Sequence, residues 1–298
     1  MAVDIRPGAP APATTRPRGP ARSAPRPRRR RPIWVYLVLG AGLLAMLAPF
    51  LWMLLGSLKP EAELQRVPPT WWPEAPSLDN YRQLFQRLDF PRFFANSTLV
   101  AVAVTAGNLV FCSMVGYALA KLDFAGKWLL FALVLGMLMV PGVVTFVPLF
   151  VLVSNLGLVN TYPGLILPFL VTPLGVFLMR QFISGLPDEL IEAARIDGAG
   201  EWRIFSRVIM PLCGPALATL GILTFLSSWN NFLWPLVVAQ SEDRYTLPVA
   251  LALVSIGQNA TRYGLLLAGS VVVIVPVIAL FVALQRYFVQ GIATTGIK

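Results

Sequence analysis

The densest group of ionisable residues in the chain is the stretch DELIEAARIDGAGEWRIFSRVIMP, residues 188–211. It carries five acids and three arginines between two long apolar runs. Acids serve general acid–base catalysis when a nucleophile, a histidine or a metal ligand stands beside them. The chain has no histidine, and no HExxH, paired-acid or serine–lysine arrangement occurs in its apolar runs. The stretch therefore predicts a contact surface, and a membrane enzyme is the weakest functional class.

The sequence also lacks the usual signatures of a bound cofactor. Cys112 and Cys213 stand alone, without the CxxC spacing of a metal site, and are expected to be small packing residues. The GxxxxGK[ST] loop that holds nucleotide phosphates is missing from the sequence. We therefore expect no metal, nucleotide or other cofactor on this chain.

The composition is that of a membrane protein, because 56% of the 298 residues are hydrophobic and 13% are charged. Soluble domains carry about 25% charged residues, and a helix needs about 20 apolar residues to cross a bilayer. The uncharged windows predict an all-α polytopic protein with about six spans, at residues 33–57, 95–120, 128–152, 163–183, 213–238 and 264–286. The remaining apolar window, residues 245–261, is short and contains a proline. We read it as a re-entrant or interfacial segment, with a seventh span as the alternative.

The distribution of lysine and arginine predicts the orientation. With six spans and an inner N-terminus, the inner segments carry 17 of the 24 basic residues, so both termini are predicted to be cytoplasmic. Residues 1–32 form an Arg/Pro-rich tail that is predicted to be disordered, ahead of a transmembrane domain at residues 33–298. We expect the tail's arginines to meet anionic lipid headgroups rather than nucleic acid.

The first outer segment, residues 59–92, has its own amphipathic pattern. Ser77 can cap a short helix over residues 77–88, whose apolar side chains share one face. Trp71 and Trp72 are typical of the membrane–water interface. The segment predicts a lid on the outer surface, and a binding surface for an external partner is the alternative.

The charged stretch lies in the inner loop between spans four and five, residues 184–212. A first helix is predicted to begin near Pro187, and Gly198 and Gly200 interrupt it. A second helix follows and is predicted to end at Pro211. From these residues alone, docking to a partner protein and contact of an amphipathic helix with lipid both remain open.

The spacing within the loop resembles the EAA loop of ABC-importer permease subunits. In that family E-A-A is followed by three residues, a glycine, nine residues and I-x-L-P. Here Glu192, Ala193, Ala194 and Gly198 are followed, after nine residues, by Val-Ile-Met-Pro ending at Pro211. Valine and methionine replace the usual isoleucine and leucine. Other segments resemble the smaller six-span subunit of maltose-type carbohydrate permeases, at residues 77–85, 116–127, 228–236, 245–251 and 286–298.

The resemblance implies one subunit of a heteromeric sugar importer in the inner membrane. A second permease subunit would complete the pore, an external sugar-binding protein would deliver the sugar, and two cytoplasmic ATPase subunits would bind ATP and magnesium. It also implies that Glu192 pairs with a basic residue of the ATPase, that Ala193, Ala194 and Gly198 allow close docking, and that residues 291–298 reach the same interface. The alternative is a self-sufficient secondary transporter, which the charge-free spans and the lack of inverted repeats disfavour.

A path for a neutral sugar calls for hydrogen-bonding and aromatic side chains rather than charges. Trp229, Asn230 and Asn231 form the most polar spot of the fifth predicted span, and Asn108 is the weaker candidate in the second. The alternative role for these residues is interhelical hydrogen bonding, which contributes about 0.6 kcal/mol on average. The resemblance implies that most sugar contacts belong to the larger permease subunit.

Overall fold

The computed structural model describes residues 33–87, 89–255 and 262–295. The predicted tail (1–32), the end of the 245–261 window and the last three residues of the predicted C-terminal contact lie outside these ranges. Within them every regular element is helical. The prediction of an all-α polytopic protein is confirmed.

Fourteen helices are named here for the described residues. They are α1 (Ile33–Ser57), α2 (Glu61–Leu64), α3 (Asp79–Arg87), α4 (Phe90–Lys121), α5 (Lys127–Met139), α6 (Gly142–Asn155), α7 (Tyr162–Phe169), α8 (Pro173–Ser184), α9 (Glu189–Ile196), α10 (Glu201–Leu212), α11 (Gly214–Trp229), α12 (Leu233–Val238), α13 (Leu247–Ser255) and α14 (Tyr263–Thr295). Two of them contain a π-helical turn, at Asn108–Cys112 in α4 and at Phe205–Ile209 in α10.

Three helical segments are long and apolar enough to cross a membrane unbroken: α1, α4 and Tyr263–Ala283 of α14. Three further pairs qualify by length and composition when their two helices are taken together, which gives up to six spans, although α10 of the last pair belongs to the predicted inner loop. These pairs bend by 107° between α5 and α6, 41° between α7 and α8, and 80° between α10 and α11. A proline stands at each break, at Pro141, Pro173 and Pro215, because proline fits the first turn of a helix but cannot continue a preceding one.

The observed helices differ from the predicted spans at several bounds. Helix α4 begins at Phe90, five residues before the predicted start, and the predicted third span divides between α5 and α6. The predicted fifth span divides at Asn230 between α11 and α12. The nine described residues of α13 form about 14 Å of helix, less than the ~30 Å thickness of the hydrocarbon core.

By its contacts the chain divides into residues 1–47 and residues 48–298. The described part of the first unit is the charge-free first half of α1. The second unit contains three buried apolar clusters. The first joins the end of α4 to α8, α9, α10 and the start of α11. The second joins the start of α4 to α3, α13 and α14, and the third joins α4 to α6, α7 and α12.

The closest helix crossing in the first cluster lies at Gly116 of α4. A Cβ at this position would stand 2.8 Å from the Cβ of Met179 and 2.9 Å from the backbone nitrogen of Arg180, both on α8. Real Cβ atoms do not approach that closely, so the absence of a side chain brings the two backbones together. The crossing holds the end of α4 against α8.

The segment between α1 and α4 is fastened by buried polar groups. Lys59 and Glu63 are 3% and 5% exposed and lie 3.7 Å apart, and both bond to Thr70. The side-chain amide of Asn80 donates to the carbonyl of Ser57, the last residue of α1, and to that of Lys59 just beyond it. The carboxylate of Glu61 accepts from the backbone nitrogen of Gly264 at 2.9 Å, at the positive end of α14.

The predicted amphipathic helix of this segment is α3, and Ser77 accepts from the backbone nitrogen of Asp79 at 3.1 Å. Its apolar face is only partly buried. Leu84 is 1% exposed, whereas Leu78 and Phe85 are 68% and 52% exposed.

Candidate functional site

The charged loop forms the predicted helix, glycine turn and second helix. Helix α9 has Glu189 and Glu192 in its first turn, near the positive end of the helix dipole. At its other end Gly198 has φ +78°, the left-handed region that favours glycine. The nitrogen of Ala199 donates to the carbonyl of Ala194, and that of Gly198 donates to the carbonyl of Arg195, both at 3.0 Å. These two bonds are the Schellman closure of a helix C-terminus.

One side of the loop is fixed to the membrane helices by apolar packing and by a lysine. Ile191 is 3% exposed and lies in the first cluster, against which Ala194 also packs. The Nζ of Lys121, at the end of α4, donates at 2.6 Å to the carbonyl of Leu186 and to Oδ1 of Asp188. These contacts hold the first turn of α9 in one position.

A second polar anchor joins the two helices of the loop to α4. The buried hydroxyl of Tyr117 donates to Oε2 of Glu201 at 2.6 Å. The guanidinium of Arg195 donates to Oε1 of the same carboxylate at 2.9 Å. The Tyr117 hydrogen bond is the largest cause that holds the pKa of Glu201 below its ordinary value, and Arg195 adds to it. The carboxylate therefore stays ionised in the folded protein.

The other side of α9 is uncovered within the described part of the chain. Glu192 and Ala193 are exposed, and Ile196, one turn further on, is 86% exposed. Trp202 of α10 is 66% exposed. The loop thus presents the carboxylates of Glu189 and Glu192, one small residue and two large apolar side chains on a face whose opposite side is anchored to the membrane helices.

Helix α10 ends at Leu212, one residue after the predicted end at Pro211, and Pro211 is exposed. The nitrogen of Cys213 still donates to the carbonyl of Ile209 at 3.1 Å. The chain then turns by 80° into α11.

A cavity of 230 Å³ lies among α4, α7, α8, α11 and α12. Its wall is mainly apolar, with polar side chains from α11, from the segment between α7 and α8, and from the segment between α11 and α12. Of the four predicted path residues, Asn231 lines this cavity, and Asn230 lines a second cavity of 470 Å³ beside α13 and α14. The polar lining residues of the first cavity are Thr172, Thr224, Ser227, Ser228 and Asn231.

The other two predicted path residues lie in the interior. Trp229 is 2% exposed in the second cluster, and its indole nitrogen donates to the carbonyl of Val273 at 3.1 Å. Asn108 is fully buried, and its amide donates to the carbonyl of Phe169 at 2.6 Å. Its carbonyl accepts from Thr172 at 2.7 Å. Both side chains therefore bond between helices in this structure, which is the alternative role.

Several residues of the site were not predicted. Tyr117 and Lys121 contact groups 84 and 67 residues further along the chain, and no local pattern announces such a contact. The polar residues of the cavity wall could have been recognised from a pattern in the sequence. Thr224, Ser227, Ser228 and Asn231 follow at helical spacing on one face of an otherwise apolar helix. Among the described residues, no group of three or more acids and cysteines is placed to bind a metal.

Comparison with known proteins gives the family. A model of the binding-protein-dependent transport system inner membrane component matches residues 112–294. The arabinooligosaccharides transport system permease protein AraQ of Halalkalibacterium halodurans is 45% identical over 279 residues, covering 91% of this chain and 99% of that protein. The AraQ protein of Bacillus subtilis is 43% identical over 258 residues, covering 86% and 92%.

Among solved structures, a bacterial ABC transporter involved in the import of the acidic polysaccharide alginate has a chain with the same fold. Its TM-score is 0.78 at 25% identity, with 86% of this chain and 95% of that chain covered. The identification of an ABC-importer permease from the EAA spacing is confirmed, and these comparisons give the secondary-transporter alternative no support. This multi-pass chain belongs to the family of inner-membrane components of binding-protein-dependent transport systems.

Proposed function

We propose that this chain is the permease subunit of an ATP-driven importer of neutral oligosaccharides, and that its loop at residues 184–212 is the docking site of an ATPase. The observation that carries the coupling role is the two-sidedness of α9. Ile191, Lys121 and Glu201 fix one side to the membrane helices, while Glu192, Ala193 and Ile196 are exposed on the other. A helix anchored in this way can transmit a movement of the docked ATPase to the membrane helices without changing its own conformation.

The exposed residues match the roles that the EAA resemblance assigns. Glu192 offers a carboxylate to a basic residue of the ATPase. Ala193 has no bulk to keep a partner at a distance, and Gly198 has open space where a side chain would be. Ile196 and Trp202 add apolar surface, which becomes favourable once it is buried. Pro211 lies in α10, which leads from the docking site to α11.

The chain works in a complex. A second permease subunit completes the pore, two ATPase subunits bind ATP and magnesium on the cytoplasmic side, and an external binding protein delivers the sugar. Both termini of this chain are cytoplasmic, and no cofactor binds to it. ATP closes the ATPase pair, the docked loops approach each other as rigid bodies, and the spans open outward. Hydrolysis and release restore the first state.

The substrate is a neutral oligosaccharide of the arabinooligosaccharide type. Two relatives above 40% identity are named for the transport of these sugars. The lining of the 230 Å³ cavity contains no charged residue, which suits an uncharged sugar better than an acidic one such as alginate. Asn230 and Asn231 line cavities, so they remain the candidates for sugar contact, whereas Trp229 and Asn108 form hydrogen bonds between helices.

The coupling role is tested with Glu192→Ala in the complete transporter, reconstituted in proteoliposomes with ATP inside. Because the change removes the carboxylate but leaves the anchors of α9, the permease should fold, while co-purification of the ATPase and uptake of arabinotriose should each fall at least about tenfold. Asp123→Ala is the matched control, since this carboxylate is fully exposed in another inner loop. Undiminished association and uptake in Glu192→Ala would show that the loop has another role.

A further inference from the structure

The hydroxyl groups on the cavity side of α11 differ from most other hydroxyls on the described helices. A helix-borne serine or threonine in an apolar setting commonly donates to the carbonyl four residues earlier. Thr219 of α11 does so, to the carbonyl of Pro215 at 2.9 Å, and Ser270 of α14 donates to Leu266 at 2.7 Å. The same bond is made by Thr98, Thr105 and Ser113 of α4.

Thr224, Ser227 and Ser228 make no such bond, nor any other side-chain hydrogen bond to the part of the chain that is described. Asn231 follows on the same face, and its carbonyl oxygen accepts from the nitrogen of Trp234 at 3.3 Å. Its amide nitrogen has no acceptor among the described residues. All four side chains line the 230 Å³ cavity. One wall of the cavity therefore presents hydroxyl and amide groups with free hydrogen-bonding capacity.

The hydroxyls of this wall lie within the predicted fifth span, residues 213–238. Thr224 lies ten residues, about 15 Å of helix, beyond the first residue of α11. An unsatisfied polar group within a membrane span is costly, so three neighbouring hydroxyls call for water or a polar ligand beside them. Apart from Thr172, the remaining wall is apolar, and it includes Trp234, with the ring of Phe169 edge-on to the Trp234 ring at 5.6 Å.

A sugar ring matches both walls, because its hydroxyls donate and accept hydrogen bonds while its C–H faces pack on apolar and aromatic surfaces. The volume is just below the ~300–1,000 Å³ of sites for drug-sized ligands, so it suits one ring rather than a whole oligosaccharide. We infer that Thr224, Ser227, Ser228 and Asn231 form a subsite of this subunit that hydrogen-bonds one sugar residue of the passing oligosaccharide. The inference rests on the proposed function, and it gives this chain its own share of substrate contact.

The first test uses the complete transporter in proteoliposomes, with arabinotriose and the external binding protein as the probe. The variant Thr224→Val/Ser227→Ala/Ser228→Ala removes the three hydroxyls with little change in volume. Uptake should fall about tenfold, because the transported sugar loses part of the free energy that three modest hydrogen bonds contribute. ATP hydrolysis stimulated by the binding protein should be retained. Thr219→Val is the control, because its hydroxyl is already satisfied within α11, and its uptake should equal that of the wild type.

A second measurement keeps the inference testable if the triple variant does not fold. Ser227→Cys places a thiol in the cavity wall, and the native Cys112 and Cys213 are fully buried. Arabinotriose delivered by the binding protein should slow modification of this thiol at least about threefold, whereas binding protein without sugar should not. Protection, or uptake lost with hydrolysis retained, supports the subsite.

Wild-type uptake that persists in the triple variant, together with no protection of the Ser227→Cys thiol, overturns it and marks a water-filled cavity. A wild-type complex that carries no oligosaccharide overturns the proposed function itself. The two failures are therefore distinguishable in one set of vesicles.

Discussion

The direction of the charged loop depends on the backbone at Gly198. Its φ of +78° closes α9 with two hydrogen bonds and sends the chain toward α10. An L side chain in this region costs about 1–2 kcal/mol. Gly200 has an ordinary φ of −73°, and a Cβ at either position would have open space around it. The two glycines therefore separate the effect of conformation from the effect of bulk.

We predict that Gly198→Ala lowers ATP-driven uptake about fivefold, because roughly 1 kcal/mol of backbone strain shifts the loop away from its docking conformation. Gly200→Ala should leave uptake within experimental error of the wild type. The measurement is arabinotriose uptake by reconstituted vesicles, with proteolysis of the loop as a second readout. Equal losses in both variants would mean that bulk, not conformation, matters here.

The Glu201 carboxylate makes one anchor of the loop dependent on pH. Its pKa is lower in the folded protein than its ordinary value of 4.5, chiefly because Tyr117 donates to it. A group with a depressed folded pKa stabilises the protein fully above its unfolded pKa, and that stabilisation is lost as the pH falls through the folded value. Lowering the pH from about 7 to about 4 should thus reduce the unfolding temperature of the wild type more than that of Glu201→Gln.

Thermal unfolding of the detergent-solubilised protein measures this difference, and Tyr117→Phe provides the intermediate case. In this variant Glu201 retains its contact with Arg195 but loses the 2.6 Å hydrogen bond from Tyr117, so the pKa of Glu201 in the folded protein lies nearer its ordinary value. A pH response of Glu201→Gln identical to that of the wild type would assign the acid sensitivity to other groups.

At the scale of elements, the crossing of α4 and α8 is the tightest contact behind the loop. Gly116→Ala would bring a Cβ against backbone atoms, 2.9 Å from the nitrogen of Arg180 and 3.1 Å from the carbonyl carbon of Met179. Backbone cannot rotate away as a side chain can, so we expect the helices to separate at a cost of about 1–3 kcal/mol.

The measurement is the unfolding temperature and the yield of monodisperse protein. Gly136→Ala on α5 is the control, because a Cβ there meets nothing within 4 Å. We expect it to be neutral or slightly stabilising, since alanine is the better helix former. Wild-type stability in Gly116→Ala would show that the crossing is looser than its geometry implies.

The sequence predicts those elements that are determined by neighbouring residues, and it does not predict features that depend on contacts between distant residues. Apolar stretches that cross a membrane are a property of composition, so the six regions were recognisable, although the helix break at Pro141 within the third predicted span was not predicted. The helix after that break, which turns by 107°, makes long-range contacts such as that of Phe146 with Trp234, and these are not visible in the local sequence. Trp229 shows the same limit, because its type predicts a polar path while the fold turns its indole nitrogen to Val273.

The loop was more predictable than the cavity for the same reason. Its helix, glycine turn and helix arise from neighbouring residues, and Gly198 alone indicates the left-handed closure. The cavity forms where five helices meet, and no single segment encodes it. The anchors Tyr117 and Lys121 belong to this second class, because their partners are distant in the chain.

For the whole molecule, the orientation in the membrane is tested by thiol accessibility. Trp72 and Ile196 are 74% and 86% exposed, and the two native cysteines are buried, so each position can report alone. A membrane-impermeant thiol reagent added to intact cells should label Trp72→Cys and spare Ile196→Cys. Inside-out vesicles should show the reverse, because the proposed orientation places the charged loop on the cytoplasmic side.

The same Ile196→Cys variant examines assembly. When the ATPase is co-expressed, the thiol should be protected in inside-out vesicles, because the exposed face of α9 is covered. Labelling of Ile196→Cys from the outside would reverse the orientation and remove the basis for docking.

The turn at Cys213 gives the loop and the fifth span the form of a bell crank. Helix α10 is one arm, about 18 Å long, and α11 is the other, about 24 Å long, set at 80° to the first. A rotation of about 10° around the turn would move the far end of α10 by about 3 Å and the cavity end of α11 by about 4 Å. A movement of α10 would thereby be converted into a larger movement of α11 in a direction nearly perpendicular to the first. Cys213, wholly buried at the pivot, is then the place where added bulk would jam the movement without touching ATPase or sugar.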